Sequence, residues 1–148
     1  MAQTNTDVSA QTNSTFVPRK LSYEEFLREY DGQYAEYVDS EVIKPISVTQ
    51  KHDDLTGFFR AALRFYVETK NLGRICGEPY QMKMLIDGEI KGREPDVFFV
   101  KTENFERVGE QFFDGAADLV IEIVSPESVI RDTQDKFEEY EAAGVKEC

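Results

Sequence analysis

Two carboxylates and one lysine in this chain are of the types and spacing that metal-assisted phosphodiester hydrolysis asks for. Asp96 ends the segment Arg93-Glu94-Pro95-Asp96, which leads straight into the apolar run Val97-Phe98-Phe99-Val100. Proline cannot donate to a sheet ladder, so it suits a strand's first position and fixes the chain entering beside Asp96. Glu122 lies inside Asp118-Leu119-Val120-Ile121-Glu122-Ile123-Val124. An ionised carboxylate in so apolar a strand costs several kcal/mol unless it is paired or bound to a metal. Lys136 follows 14 residues later, and helical spacing of four puts Asp132, Lys136 and Tyr140 on one stripe.

Taken singly, each residue has a plainer reading. An Asp after Pro at a strand start is common turn chemistry. Strand alternation sets Glu122 on the side of Val120 and Val124, where one wet face would display it harmlessly. Asp132 and Lys136 make an ordinary solvated i, i+4 pair. Together they gain weight. Two carboxylates hold Mg²⁺ or Mn²⁺ through oxygen, and a cation beside the attacking water orients it or stabilises the transition state. Other chemistries find less support. The single histidine excludes a multi-histidine metal site, G-x-x-x-x-G-K-[ST] is absent, and no Ser or Cys stands in a nucleophile motif.

The elements that must carry these residues are legible in outline. Ser22 and Glu25 have capping-box spacing, and Tyr23, Phe26, Leu27 and Tyr30 share a face, predicting a helix over 22–30. Gln33 to Ser40 and Glu41 to Ser47 read as a hairpin turning at Asp39-Ser40. Leu55, Phe58, Phe59, Ala62, Leu63, Tyr66 and Val67 predict a long helix over 50–70 that packs across the sheet, with Gly73 as its stop. Strand-like runs follow at 74–86, interrupted by Gly77 and Pro79, then at 96–100 and 118–124, the last apolar enough to be a central strand covered on both faces. A final helix is expected from about Arg131 to Ala143, closed by Gly144. This order is that of a mixed α/β or α+β domain.

The chain has 148 residues, 41% of them apolar, which fits one packed domain. Residues 1–19, rich in Gln, Thr, Asn and Ser, read as a disordered polar tail, leaving 20–148 as the domain. No apolar run reaches membrane-spanning length, and the N-terminus lacks the basic and apolar regions of an export signal, so no membrane partner is indicated. Cys76 and Cys148 suggest neither a disulfide framework nor a zinc site, which fits a reducing cytoplasm. The net charge of −12 is the wrong sign for holding nucleic acid by general attraction. Bound divalent cations, or basic residues gathered on one face, would offset it.

Several segments resemble the Uma-type restriction endonuclease family of the PD-(D/E)XK nuclease superfamily: LSYEEFL, YAEYVDSEVIKPISVTQKHDDL, REPDVFFV, FDGAADLVIEIVSPES and RDTQDKFEEYEAAGVKE. The likeness runs from about Leu21 to Glu147. It implies a restriction-endonuclease-like α/β core with a mixed central sheet flanked by helices, and metal-dependent cleavage of nucleic acid, DNA in the first instance. The same resemblance implies Asp96 and Glu122 as metal ligands, with the Ile123 carbonyl completing the site. In the superfamily's D/E-X-K element the lysine stands two after the glutamate, where this chain has Val124; Lys136 matches families in which it has migrated to the following helix. Glu36 matches a further acidic member, and His52 a histidine opening the long helix, where a surface position would serve equally. Ser125, Asp132 and Tyr140 match supporting residues. Two departures stand out. Asp39-Ser40 replaces the family's Asp-Gly turn, and relatives continue past Gly-Val-x-Glu into Tyr-Trp and further strands, so a shortened domain is expected. A homodimer would suit cleavage of both strands of a duplex, although no interface stands out in the sequence.

Overall fold

The computed structural model describes residues 20–44, 48–124 and 134–148. The polar tail at 1–19, the end of the hairpin at 45–47, and Ser125 through Thr133, which include Asp132 and the expected start of the last helix, lie outside the described residues.

The first helix, α1, spans Tyr23–Glu29 and carries the expected capping box: the Glu25 N–H donates to Ser22 Oγ, and the Ser22 N–H donates to Glu25 Oε2 at 2.9 Å. Its apolar face buries Tyr23 and Phe26 beside Tyr37. The hairpin follows as β1 (Glu36–Val38) and β2 (Glu41–Ile43). Asp39 and Ser40 adopt left-handed φ of 53° and 67°, the pairing that a primed two-residue turn requires, so serine fills the role without glycine's freedom. The long helix α2 spans Gln50–Thr69, with the Thr49 hydroxyl accepting from the His52 N–H. Strands β3 (Gly73–Cys76), β4 (Gln81–Ile86), β5 (Glu89–Arg93) and β6 (Val97–Lys101) precede a 3₁₀ turn at Thr102–Arg107. Then come β7 (Phe112–Asp114), β8 (Leu119–Ile121) and helix α3 (Lys136–Ala143), closed by Gly144 at φ 92°.

These strands form two hydrogen-bonded sheets, ordered β2-β1-β5-β4-β7 and β3-β6-β8. The larger is mixed, because β4 and β7 run parallel while its other pairs are antiparallel. Met82, Met84, Phe98, Val100, Phe113, Val120 and Tyr140 form the main core, Tyr140 being supplied by α3. The α/β class with a mixed sheet and flanking helices therefore holds. Among the described residues no helix is long and apolar enough to cross a membrane.

Four expectations change. β5 and β7 are additional strands; β5 follows a turn at Asp87-Gly88, both left-handed, a hairpin signal that the mixed charges of Glu89–Arg93 obscure. The run 118–124 is not a central strand. Only Leu119–Ile121 pairs, at the side of β6, and the chain leaves the ladder at Glu122. Gly73 does not stop α2 but opens β3; the left-handed residue after the helix is Asn71 at φ 53°. Gly73 is needed there because a Cβ would lie 2.1 Å from the Val100 carbonyl oxygen. Finally, α2 packs on β3 and β6 through a narrow stripe of Phe59, Leu63 and Val67, whereas Leu55, Phe58 and Tyr66 face outward.

A buried polar joint links α1 to the sheet. Tyr23 donates to Gln81 Oε1 (2.9 Å), Gln81 Nε2 donates to the Ala35 carbonyl (2.8 Å), and the Ala35 N–H reaches Glu94 Oε1 (3.4 Å). Burial pushes the Glu94 carboxyl up to about 8; the Ala35 N–H opposes the shift, and Glu36 adds to it. The folded chain thus keeps a proton on Glu94 where the unfolded chain has lost it. Its stabilising contribution is complete below the usual 4.5 and disappears as pH rises through about 8.

Phe98 is fully buried, so Phe98→Ala should cost about 3–5 kcal/mol in denaturant unfolding. Glu94→Gln should gain on the wild type as pH rises, by up to about 4 kcal/mol between pH 5 and pH 9. A parallel pair of stability profiles would contradict the assignment of a buried, protonated Glu94.

Candidate active site

Asp96 stands between Pro95 and β6, and both its oxygens are engaged. Oδ2 accepts from the Ile123 N–H at 2.6 Å, and Oδ1 lies 3.2 Å from His52 Nε2. The first contact ties the start of β6 to the chain leaving β8; the second ties it to the opening turn of α2. His52 Nδ1 is buried with no hydrogen-bond partner in the structure. Farther along α2, the Arg60 guanidinium donates to the Asp96 carbonyl (2.7 and 3.0 Å) and to the Glu78 carbonyl (3.0 Å). Gly77 passes so near that a Cβ there would lie 2.3 Å from the Asp96 carbonyl oxygen and 2.6 Å from Arg60 Nη2.

Glu122 sits one residue beyond β8. Its Oε1 accepts from the Tyr140 hydroxyl at 2.5 Å and from Lys136 Nζ at 3.1 Å. Lys136 and Tyr140 are four apart on α3, so one helix face delivers both donors. Lys136 is itself buried, and its Nζ also lies 3.2 Å from Glu36 Oε1 on β1. Behind Glu36 stands the buried Arg93, donating to Glu36 Oε2 (3.0 Å) and, in fork geometry, to both Glu139 oxygens (2.7 and 3.0 Å). Lys91 closes the outer end on Glu139 (3.1 Å) and Asp39 (2.9 Å).

The electrostatics follow from burial and alternating charge. Burial pushes the Glu122 carboxyl up to about 7; Lys136 and the Tyr140 hydroxyl pull it down, while Asp96 and Glu36 push it further up. Glu36 feels the same burial, but Lys136 and Arg93 outweigh it and hold that carboxyl below its usual range. Burial and the neighbouring Asp96 raise Glu78. Burial, reinforced by Glu122, keeps Tyr140 protonated well above the usual phenol range.

The structure thus brings Asp96, Glu122, Lys136, Glu36, His52 and Tyr140 into one cluster, while Ser125 and Asp132 lie outside the described residues. Arg93, Glu139, Arg60 and Glu78 join it without having been singled out. For Arg93 a signal existed, since it opens the segment that ends in Asp96; the others are recognisable only from the fold. The donor set suits a hard divalent cation. Asp96 and Glu122 are carboxylates whose mutual repulsion a cation relieves, and Glu78 adds a third acidic group near Asp96. Among the described residues no three His, Cys, Asp or Glu side chains converge as a ready-made metal site. A pair of carboxylates with substrate oxygens and water is the arrangement typical of Mg²⁺ in phosphoryl chemistry.

Comparison with known proteins agrees with this geometry at the level of fold and family. The crystal structure of a "putative nuclease" from Anabaena variabilis, belonging to the group DUF820, superimposes with a TM-score of 0.66 at 18% sequence identity, covering 82% of this chain and 68% of that one. At that identity the likeness speaks for the fold. No curated protein matches the chain significantly. Residues 22–148 match the family Uma2, described as "Putative restriction endonuclease". With residues 22–148 matched, nearly the whole domain, the chain belongs to the Uma2 family.

Proposed function

We propose that this protein is a metal-dependent nuclease that hydrolyses phosphodiester bonds, with DNA as its substrate and Asp96, Glu122 and Lys136 as its catalytic residues. The observation that carries the reading is the buried Lys136 Nζ, 3.1 Å from Glu122 Oε1 and supplied by α3. It restores from a helix the carboxylate–lysine pairing that Val124 denies to the strand.

In this reading Asp96 and Glu122 would hold Mg²⁺ or Mn²⁺. When bound, such an ion supplies Lewis acidity to the phosphate and lowers the pKa of coordinated water. The side chains contribute positioning and charge. The Ile123 N–H and His52 fix the two Asp96 oxygens, so the carboxylate is held before substrate arrives. Lys136 places an ammonium beside Glu122, where it orients an attacking water and offsets the negative charge that grows on the phosphate. Glu36 and Arg93 hold that ammonium in place from behind, and Tyr140 restrains the Glu122 carboxyl.

One observation favours a second reading, a catalytically inactive domain that retains the fold for interaction. Asp96 and Glu122 already find protein partners, and the net charge of −12 disfavours general attraction to nucleic acid. Metal binding separates the two readings, and RNA, single-stranded DNA and duplex DNA tested side by side identify the substrate.

Purified protein should nick supercoiled plasmid when Mn²⁺ or Mg²⁺ is added and stop when the metal is chelated. Asp96→Ala and Glu122→Ala should each reduce cleavage by about a hundredfold or more while circular dichroism stays native, and Lys136→Ala should lose cleavage together with about 3–5 kcal/mol of folding stability, because it takes the shared cation from Glu36 and Glu122. Titration with Mn²⁺, followed by calorimetry, should give binding that Asp96→Ala removes; wild type that neither binds Mn²⁺ nor cuts would sink the nuclease reading. Removing Arg93 leaves Glu36 and Glu139 without their shared cation, so Arg93→Ala should lose about 3–5 kcal/mol of folding stability. An unchanged unfolding midpoint would show that the network does not bear on the fold.

A further inference from the structure

The outer face of α2 is unaccounted for by anything described so far. Phe58, Phe65, Tyr66 and Leu55 are 64%, 76%, 54% and 38% exposed, although they occupy the middle of the longest helix. A fully buried aromatic removes about 200 Å² from water, so the three rings alone leave on the order of 400 Å² exposed in each chain. That is within the roughly 300–600 Å² of the largest apolar patch on a typical monomer, a patch that is often functional. Two such patches facing each other, with Leu55, Ala61 and Ala62 added, approach the roughly 1,000 Å² that a specific interface needs.

The pattern within the patch indicates what covers it. Leu55, Phe58, Ala62, Phe65 and Thr69 alternate by three and four residues, which is the seam of a two-helix coiled coil, and Lys51 extends the series by one step. Parallel pairing would set Phe58 against Phe58, leave Ala62 facing Ala62 across a gap, and bring Lys51 against Lys51. Antiparallel pairing about a two-fold axis removes all three faults. Leu55 then lies opposite Phe65, Phe58 fills the space over Ala62, and Lys51 meets Thr69 and not a second Lys51. Large faces small along the seam without any other molecule being required.

We infer that the outer face of α2 is the interface of a homodimer in which two copies of α2 pack antiparallel, Leu55 to Phe65 and Phe58 to Ala62. The isologous arrangement is that of a two-fold dimer. It sets the two His52 residues about 24 Å apart along the helix axes, at opposite ends of the seam. The assignment rests on the helix surface and does not depend on the reaction the site performs.

Sedimentation velocity on the full chain over a range of concentrations should show a species of twice the 17.0 kDa chain mass. Phe58→Glu with Phe65→Glu should raise the dissociation constant by about a hundredfold or more. The register is tested separately in a Cys148→Ser background: a Lys51→Cys chain mixed with a Thr69→Cys chain should form an intermolecular disulfide, while Lys51→Cys alone should not. A monomer at every concentration overturns the proposal, whether or not another protein binds the patch. So does a dimer indifferent to the two glutamates, or cross-linking of Lys51→Cys to itself. Should the double variant fail to fold, the disulfide experiment with the intact apolar face still decides the matter.

Discussion

The rest of the structure depends on where the Lys136 ammonium is placed. It is buried between Glu36 and Glu122, and those carboxylates come from different sheets, one from β1 in the five-stranded sheet and one from just beyond β8 in the three-stranded sheet. Removing these three ionisable groups from water is costly, and it is tolerable because each has a partner within hydrogen-bonding distance, with Arg93 added at Glu36 and Tyr140 at Glu122. The arrangement therefore joins two sheets that share no strand pairing, with α3 as the connecting element. Arg93 extends the alternation outward to Glu139 and Lys91, so the charge cluster is anchored from the interior to the surface. Burial of ions in this way gives little net stability, but it specifies the relative position of its members sharply.

A lysine carried by a helix is aimed differently from one carried by the chain after a strand. A lysine two residues after Glu122 would stand beyond β8, on chain that the ladder no longer holds. From α3 the lysine approaches along a helix whose next turn brings Tyr140 onto the same carboxylate oxygen. Two donors from one rigid element fix the Glu122 side chain more firmly than one flexible lysine would. On the other side, Asp96 is fixed by an imidazole from the start of α2 and by a backbone N–H, which cannot swing away without moving the chain after β8.

Much of this was legible in the sequence, and the remainder has identifiable causes. Local rules carried α1, whose capping box is complete within four residues, and the Asp39-Ser40 turn, whose requirement is for left-handed backbone and not for glycine as such. Asp96 and Glu122 stood out because a carboxylate beside or inside an apolar run is expensive without a partner. Tertiary context decided the rest. DLVIEIV has the composition of a buried strand, yet half of it leaves the sheet to place Glu122. On α2 the apolar residues cover more of the circumference than the sheet can bury, so periodicity located the helix without saying which face is inside. Arg93 and Glu139 are 46 residues apart, and nothing local announces their pairing.

Gly77 carries a consequence for how the family can drift in sequence. The position has no chemistry of its own, and its substitution by alanine would look conservative in any alignment. Yet the space a methyl group would occupy is already filled by the Asp96 carbonyl and the Arg60 guanidinium. Homologous sequences that keep this backbone path are thus confined to glycine there, independently of whether they still cleave anything. A non-glycine residue at that position would signal that β3 and β6 have parted and that the carboxylate beside them has moved.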